Sequence, residues 1–141
     1  MEYKRIDVSR MDQLWEMQKA YKAAVREDAP SDRDRERLRS ALGEGRILFY
    51  GAWDGGRLAG CCSVTIGFST FNYRASGVFE DFYILPEYRH RGIARALIRF
   101  ARRESGVGSL TVGCADCDAQ MYKALGFSVR LGNMMAFDED S

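Results

Sequence analysis

Three arginines, Arg89, Arg91 and Arg95, crowd a single glycine, Gly92, where an amphipathic helix is due to begin. The first turn of a helix carries unpaired N–H groups and a partial positive charge, so it attracts anions and disfavours added cations. Cationic side chains there oppose the dipole by about 0.3–1 kcal/mol each unless an anion sits among them. A phosphate removes the conflict. Gly92 adds backbone geometry and close approach that a side chain would forbid. Farther along, Ile93, Leu97 and Ala101 make one inward row and Ala94 and Ile98 another, while Arg99, Arg102 and Arg103 read as the solvated face.

Thiols are the second group able to do chemistry. "CADC", Cys114 to Cys117, has the spacing of a zinc or redox half-site, but its complement would have to be the adjacent pair Cys61–Cys62, and the one histidine, His90, lies elsewhere. Packing as small buried hydrophobes is the simpler reading, and no metal is expected. Lys plus Arg total 21 against 20 Asp plus Glu in 141 residues, which excludes the global basic field of a non-specific nucleic-acid binder. The amino terminus lacks the apolar core of a signal peptide, and no segment approaches the ~20 apolar residues of a membrane span. The expected setting is therefore the cytoplasm, with no membrane partner.

The elements that must position these groups follow from periodicity and punctuation. One domain, residues 1–141, is expected, since neither a repeat nor a Pro/Gly/Ser linker divides the chain. "EYKRIDV" alternates like a half-buried strand, and Ser9 is placed to cap a helix running to about Glu27. Pro30 ends that helix. "SDRDRERLRSALGEG" reads as a second, charged helix stopped by Gly43 and Gly45. "ILFYGAWD" and "RLAGCCSVTIGF" around Gly55–Gly56 predict an antiparallel hairpin, "FNYRAS" a connection, and "GVFEDFYIL" a strand whose exit is marked by Pro86. After the arginine-flanked helix come a strand in "SLTVGCA", a short helix in "DAQMYKAL", and two closing strands in "GFSVRL" and "NMMAFDE". The alternation predicts an α/β or α+β domain with four helices and a mixed sheet of about seven strands.

With these elements in place, Arg89-His90-Arg91-Gly92-Ile93-Ala94 resembles the R/Q-x-x-G-x-G/A pyrophosphate motif of the GNAT superfamily, the acyl-CoA-dependent N-acetyltransferases. It is neither a dinucleotide fingerprint nor a P-loop. "EDFYILPEYR" is similar to the family's fourth strand and its exit, and "MYKALGF" to its tyrosine-helix-Gly-Phe element. The resemblance implies a fold in which strands 4 and 5 splay apart and pantetheine enters as a pseudo-strand. It also implies acetyl-CoA as cosubstrate, with Phe82, Tyr83 and Ile84 along the acetyl and pantetheine groups. The amides of His90, Arg91, Gly92, Ile93, Ala94 and Arg95 would hold the pyrophosphate, with Arg89 beside them. Ala115 stands where the family often has an asparagine, which puts the details of pantetheine contact apart from the pattern.

Direct attack on a thioester needs a neutral amine, and an alkyl ammonium of pKa near 10.4 is only ~0.04% neutral at pH 7. A base is required. Glu80 and Asp81 are the candidates, and in a regular strand only one of two neighbours faces the cleft. The resemblance favours Glu80 acting through water, makes Tyr122 the acid for the departing sulfur, and points to the Ile84 N–H as the oxyanion donor. The acceptor would enter between the first two helices, "STFNYRAS" and the last strands, where Trp15, Tyr21, Phe71, Tyr73, Met134, Glu27 and Asp28 suit a small cationic amine or an ordinary rim. A protein amino group is the other acceptor class. An inactive acyl-CoA sensor and a small metal or redox protein are the competing readings. "NMMAFDEDS", apolar before an acidic end, could pair across a two-fold axis, so a homodimer is a further expectation.

Overall fold

Strands β2 (Ile47–Asp54) and β3 (Arg57–Ser69) are apolar on both sides, as strands are when each face of a sheet is covered. In the computed structural model, which describes residues 1–140, they lie inside a sheet ordered β1-β2-β3-β4-β5. The others are β1 (Glu2–Ile6), β4 (Arg74–Ile84) and β5 (Ser109–Val112); β1 to β4 run antiparallel and β5 joins β4 in parallel. Helices α1 (Met11–Ala24) and α2 (Asp32–Gly43) cover one face over Ile6, Phe49, Trp53, Leu58 and Cys61. Helix α3 (Ile93–Ser105) covers the other, over Tyr50, Ala52, Cys62, Val64 and Phe79. The short α4 (Ala119–Ala124) follows β5. The mixed α/β sheet with four helices is thus as the sequence implies. No helix among the described residues is long and apolar enough to cross a membrane.

Local chemistry sets the helix ends. Ser31 and Asp34 form a reciprocal capping box at α2: the Asp34 N–H donates to the Ser31 hydroxyl at 3.2 Å and the Ser31 N–H to the Asp34 carboxylate at 2.8 Å. At α1 the cap differs from expectation. The Asp7 carboxylate accepts the Ser9 N–H at 2.9 Å and opens a 3-10 turn, so the α-helix starts at Met11. It closes at Ala24 rather than Glu27, because the Glu27 N–H returns to the Lys22 carbonyl at 3.0 Å with Arg26 left-handed at φ +60°. That is a Schellman-type close with arginine where glycine is usual.

The strand count is corrected to five from about seven. Neither "GFSVRL" nor "NMMAFDE" joins the sheet; Phe127 docks 5.3 Å from the Phe79 ring, and beyond it every described side chain is exposed. A strand requires a ladder partner, and the tail does not return to one in its own chain. "FNYRAS" also differs from a simple connection: β3 and β4 pair as far as Ser69 and Arg74, leaving a tight turn between them.

Parallel pairing of β5 on β4 runs from Ser76–Ser109 to Phe79–Val112 and stops, while β4 continues to Ile84. Residues 80–84 therefore have no partner on that side. This is the splay between strands 4 and 5. On the opposite side Gly60 holds the exit of β4 close, since a Cβ there would lie 2.5 Å from Ile84 Cδ1 and 3.1 Å from the Tyr83 carbonyl oxygen. Gly60→Ala is expected to destabilise by about 1–3 kcal/mol, as overpacking does, and denaturant unfolding measures it.

Candidate active site

β4 is irregular where its chemistry begins. Cys61 faces Tyr83 and Ser63 faces Glu80, so Asp81 and Phe82 together oppose the single residue Cys62, a β-bulge. Asp81 takes φ +52°, rare for a residue with a side chain. Its carboxylate accepts a 2.6 Å hydrogen bond from the buried Ser63 hydroxyl, and its carbonyl faces the Cys61 thiol at 3.6 Å. The bulge breaks the alternation expected of neighbours. Glu80 is exposed, Asp81 half-buried, and the charges of both reach Tyr21 on α1. Burial first, then Asp81, pushes the Tyr21 phenol up; the Lys22 ammonium is raised by its bond to Glu27 and, more weakly, by Asp81. Tyr21 and Tyr83 pack with ring centroids 6.1 Å apart.

Backbone direction along the unpaired edge can be traced from one hydrogen bond. The Leu85 N–H donates to Ala59 on β3 at 2.9 Å, and alternation turns the Ile84 N–H and carbonyl the other way, into the splay. The Ile84 carbonyl there accepts Arg89 Nε at 2.9 Å, while the Arg89 guanidinium lies 5.5 Å from the Tyr83 ring centroid. Arg89 thus braces the edge.

The turn into α3 is built from left-handed residues, His90 at φ +63° and Gly92 at φ +78°. Alternating handedness turns successive N–H groups into one concavity, an anion nest. Gly92 is the N-cap, and no side chain caps α3. A Cβ at Gly92 would meet no protein atom within 4 Å, so the glycine answers a backbone demand rather than packing. These features fit a diphosphate. Arg91 packs its guanidinium 5.3 Å from the Tyr88 ring, and Tyr88 is fixed by donating to Asp54 at 2.7 Å. Arg95 reaches sideways, donating from Nη2 to the Ala124 carbonyl at 2.7 Å and tying α3 to α4. The His90 side chain is exposed.

Across the splay stands Tyr122 of α4, half-buried in an aromatic group. Its ring is 6.3 Å from Phe82 and 5.9 Å from Phe127, and Phe79 is 5.4 Å from Phe82. Burial first, then Tyr21, Asp118 and Cys114, pushes the phenol up to about 12. Cys114 and Cys117 are exposed nearby, whereas Cys61 and Cys62 are fully buried with burial raising both thiols.

A cavity of about 660 Å³ opens between α1, the α1–α2 connection and α2. Trp15, Glu27 and Asp28, expected at an acceptor rim, line it beside Asp34. Phe71 and Tyr73 lie instead at the exposed hairpin tip and Met134 on the exposed tail, so they are not brought to it. Sequence reading missed Gln18. It is 7% exposed, lines the cavity, and its Nε2 has no hydrogen-bond partner. A polar residue on the apolar stripe of α1 was its only signal. Ser63, hidden in the run "CCSV", gave none.

A mixed sheet parted beyond Phe79–Val112, with an uncapped helix start at its mouth, defines an open α/β fold with a cleft between its fourth and fifth strands. Residues 45–129 match the family model of the acetyltransferase (GNAT) domain, and the chain belongs to that family. No curated protein matches it. Solved structures share the fold: a GCN5-related N-acetyltransferase from Ralstonia eutropha at 17% identity and TM-score 0.78, covering 99% of each chain. A predicted acetyltransferase from Clostridium acetobutylicum with acetyl-CoA is 15% identical at TM-score 0.77, over 97% of this chain and 95% of that one. An aminoglycoside acetyltransferase from an uncultured soil metagenomic sample, in complex with sisomicin, is 12% identical at TM-score 0.81, over 97% and 94%.

Proposed function

We propose that this chain transfers an acetyl group from acetyl-CoA to a primary amine by direct attack. The observation that carries the reading is the unpartnered β4 edge, residues 80–84, running toward an uncapped α3 amino terminus. Acetyl-CoA, when bound, supplies the activated acyl thioester. Phe82, Tyr83 and Ile84 offer it a strand edge, and the main chain from His90 to Arg95 holds its diphosphate. The Ile84 N–H polarises the acyl oxygen. Tyr122 keeps a proton for the departing sulfur, and no cysteine need act as nucleophile. Four unpaired thiols suit the cytoplasm, where they stay reduced.

Glu80 removes the amine proton through water, and Asp81, held by Ser63, draws the ammonium in. The two roles separate by pH. Glu80→Gln should lower turnover at pH 7 by about a hundred-fold and recover as the pH rises and the free amine deprotonates itself. Asp81→Asn should raise KM for the amine more than it lowers kcat. Equal pH-independent losses in both variants would remove the base assignment.

For the acceptor we favour a small cationic amine that also carries hydroxyl or carbonyl oxygens, over a protein amino group. Around the α1–α2 cavity Glu27, Asp28 and Asp34 stand against Lys22 and Arg26, with Glu27 paired to Lys22 at 2.7 Å, which leaves an excess of one negative charge, and the Gln18 Nε2 is a buried donor in want of an acceptor. The sisomicin complex of the soil acetyltransferase lends the class support. A panel of hydroxylated amines, alkyl polyamines and lysine peptides, followed by free-thiol release from acetyl-CoA, tests activity and acceptor together. Hydroxylated amines should lead, and Gln18→Leu should narrow their advantage. Absence of release with every amine would overturn the reading.

A further inference from the structure

We propose that Cys114 and Cys117 form a redox-active thiol pair on the β5 side of the splay, and that its partner is a disulfide of coenzyme A. This rests on the reading that the turn into α3 holds the coenzyme's diphosphate, and it adds a second thiol chemistry to that site. The last ladder pair of β4 and β5 is Phe79–Val112, so Cys114, two residues beyond it, stands level with Asp81 in the parallel register, across the parted strands. The chain then turns back. The Asp118 N–H donates to the Ala115 carbonyl at 2.9 Å, and the 3-10 turn Asp116–Asp118 carries Cys117 and leads into α4. Both thiols are exposed. Burial, then Tyr21, Asp118 and Cys114, push the Tyr122 phenol up, so Cys114 lies within electrostatic reach of the residue assigned to the departing sulfur.

The remaining thiols are of another kind. Cys61 and Cys62 lie in the two cores on opposite faces of the sheet, and burial pushes both up, which leaves them inert. That separation also parts the two halves a zinc site would need, and among the described residues no group of three or more His, Cys, Asp and Glu side chains gathers to hold a metal. Two solvent-facing thiols three residues apart are instead the arrangement in which an attacking and a resolving cysteine act in sequence. A coenzyme A disulfide seated in the α3 cradle brings its sulfurs to the end of the cleft where Cys114 stands. Asp116 and Asp118 flank Cys117 and repel anionic disulfides arriving from solution, so binding at the cradle decides which disulfide reacts.

Cys114, as its thiolate, attacks one sulfur of the coenzyme A disulfide; that S–S bond breaks, one coenzyme A leaves as a thiolate and the other stays bonded to Cys114. Cys117 then attacks the Cys114 sulfur, closes the protein disulfide and releases the second coenzyme A. Two protein thiols are oxidised and one disulfide is reduced to two thiols, the protons lost by the cysteines passing to the coenzyme A thiolates. A dithiol reductant reopens the pair, so the protein disulfide is transient, as a reducing compartment requires.

Intact-mass spectrometry and peptide mapping of the reduced full chain, incubated with coenzyme A disulfide or with glutathione disulfide, test this. The chain should lose a pair of hydrogens and join Cys114 to Cys117, about 10-fold or more faster with coenzyme A disulfide than with glutathione disulfide. Cys117→Ser should instead keep one coenzyme A on Cys114, lose acetyl transfer as the adduct fills the cleft, and regain it with dithiothreitol. Cys114→Ser should take up far less, and Gly92→Val should bring the two disulfides to similar rates. Equal rates in the unaltered chain, or an adduct on Cys117 in place of Cys114, would overturn the proposal. Calorimetry with reduced coenzyme A tells its failure from that of the underlying reading: uptake of the thiol without closure of the Cys114–Cys117 pair overturns the thiol pair alone, whereas no uptake overturns the diphosphate site and this inference with it.

Discussion

Tyr122→Phe is expected to lower turnover by roughly a hundred-fold or more while leaving coenzyme A affinity nearly unchanged. The phenol stands in an aromatic wall of Phe82 and Phe127, so removing one oxygen keeps the packing and deletes only the proton. Burial raises its pKa to about 12, against ~8.5 for the leaving thiol, so transfer to a free thiolate runs uphill and relies on positioning, the proton passing as the C–S bond breaks. The sign for pH follows. With the folded pKa raised, Tyr122 is protonated throughout the neutral and mildly alkaline range, so activity should climb as the amine deprotonates, with no fall from Tyr122 below its own pKa. Stability drawn from the buried neutral phenol is complete below pH ~10 and is lost as pH rises toward 12. Thiol-release kinetics and calorimetry with coenzyme A measure the two halves separately. Lost turnover with intact affinity would also argue against an inactive acyl-CoA sensor; unchanged turnover would remove Tyr122 as the acid.

Gly92→Val is expected to weaken coenzyme A binding by roughly 10- to 100-fold, because charged-group hydrogen bonds to misdirected amides are worth about 1.5–3 kcal/mol. A residue with a Cβ held at φ +78° adds about 1–2 kcal/mol of strain to the folded chain. Open space around the Cβ separates this from a packing defect: thermal stability should fall only by the strain, because no protein atom lies within 4 Å. Titration calorimetry reads the affinity. Equal affinities would mean that the α3 amino terminus does not hold the diphosphate.

The turn into α3 was legible because its determinants are local. Charge opposing a helix dipole, one glycine and a proline at a strand exit are all visible in a dozen residues, and the left-handed angles of His90 and Gly92 are the backbone form of that signal. The mixed sheet followed from element order, and the splay from the family resemblance. What stayed hidden depends on register. A bulge opposing Asp81 and Phe82 to Cys62 leaves no mark in hydropathy, so the strict alternation expected for Glu80 and Asp81 was broken without warning, and Ser63 surfaced only once the register placed it beneath Asp81. Gln18 likewise became informative through its missing partner, a property of packing and not of type. The two closing strands were overcounted because period-two alternation describes a side-chain pattern, whereas a strand also needs a ladder partner, and the described tail residues have none.

Four thiols divided between two environments bear on how turnover is followed. Cys114 and Cys117 lie open to solvent, and Cys61 and Cys62 are sealed within the sheet's cores. A colorimetric disulfide reagent should therefore consume two equivalents per native molecule and four after denaturant, a built-in gauge of how much material is intact. Because Cys114 sits close enough to Tyr122 to influence its proton, modification at that position would blunt the very reaction the dye records, and a continuous readout that spares sulfur would be the sounder choice.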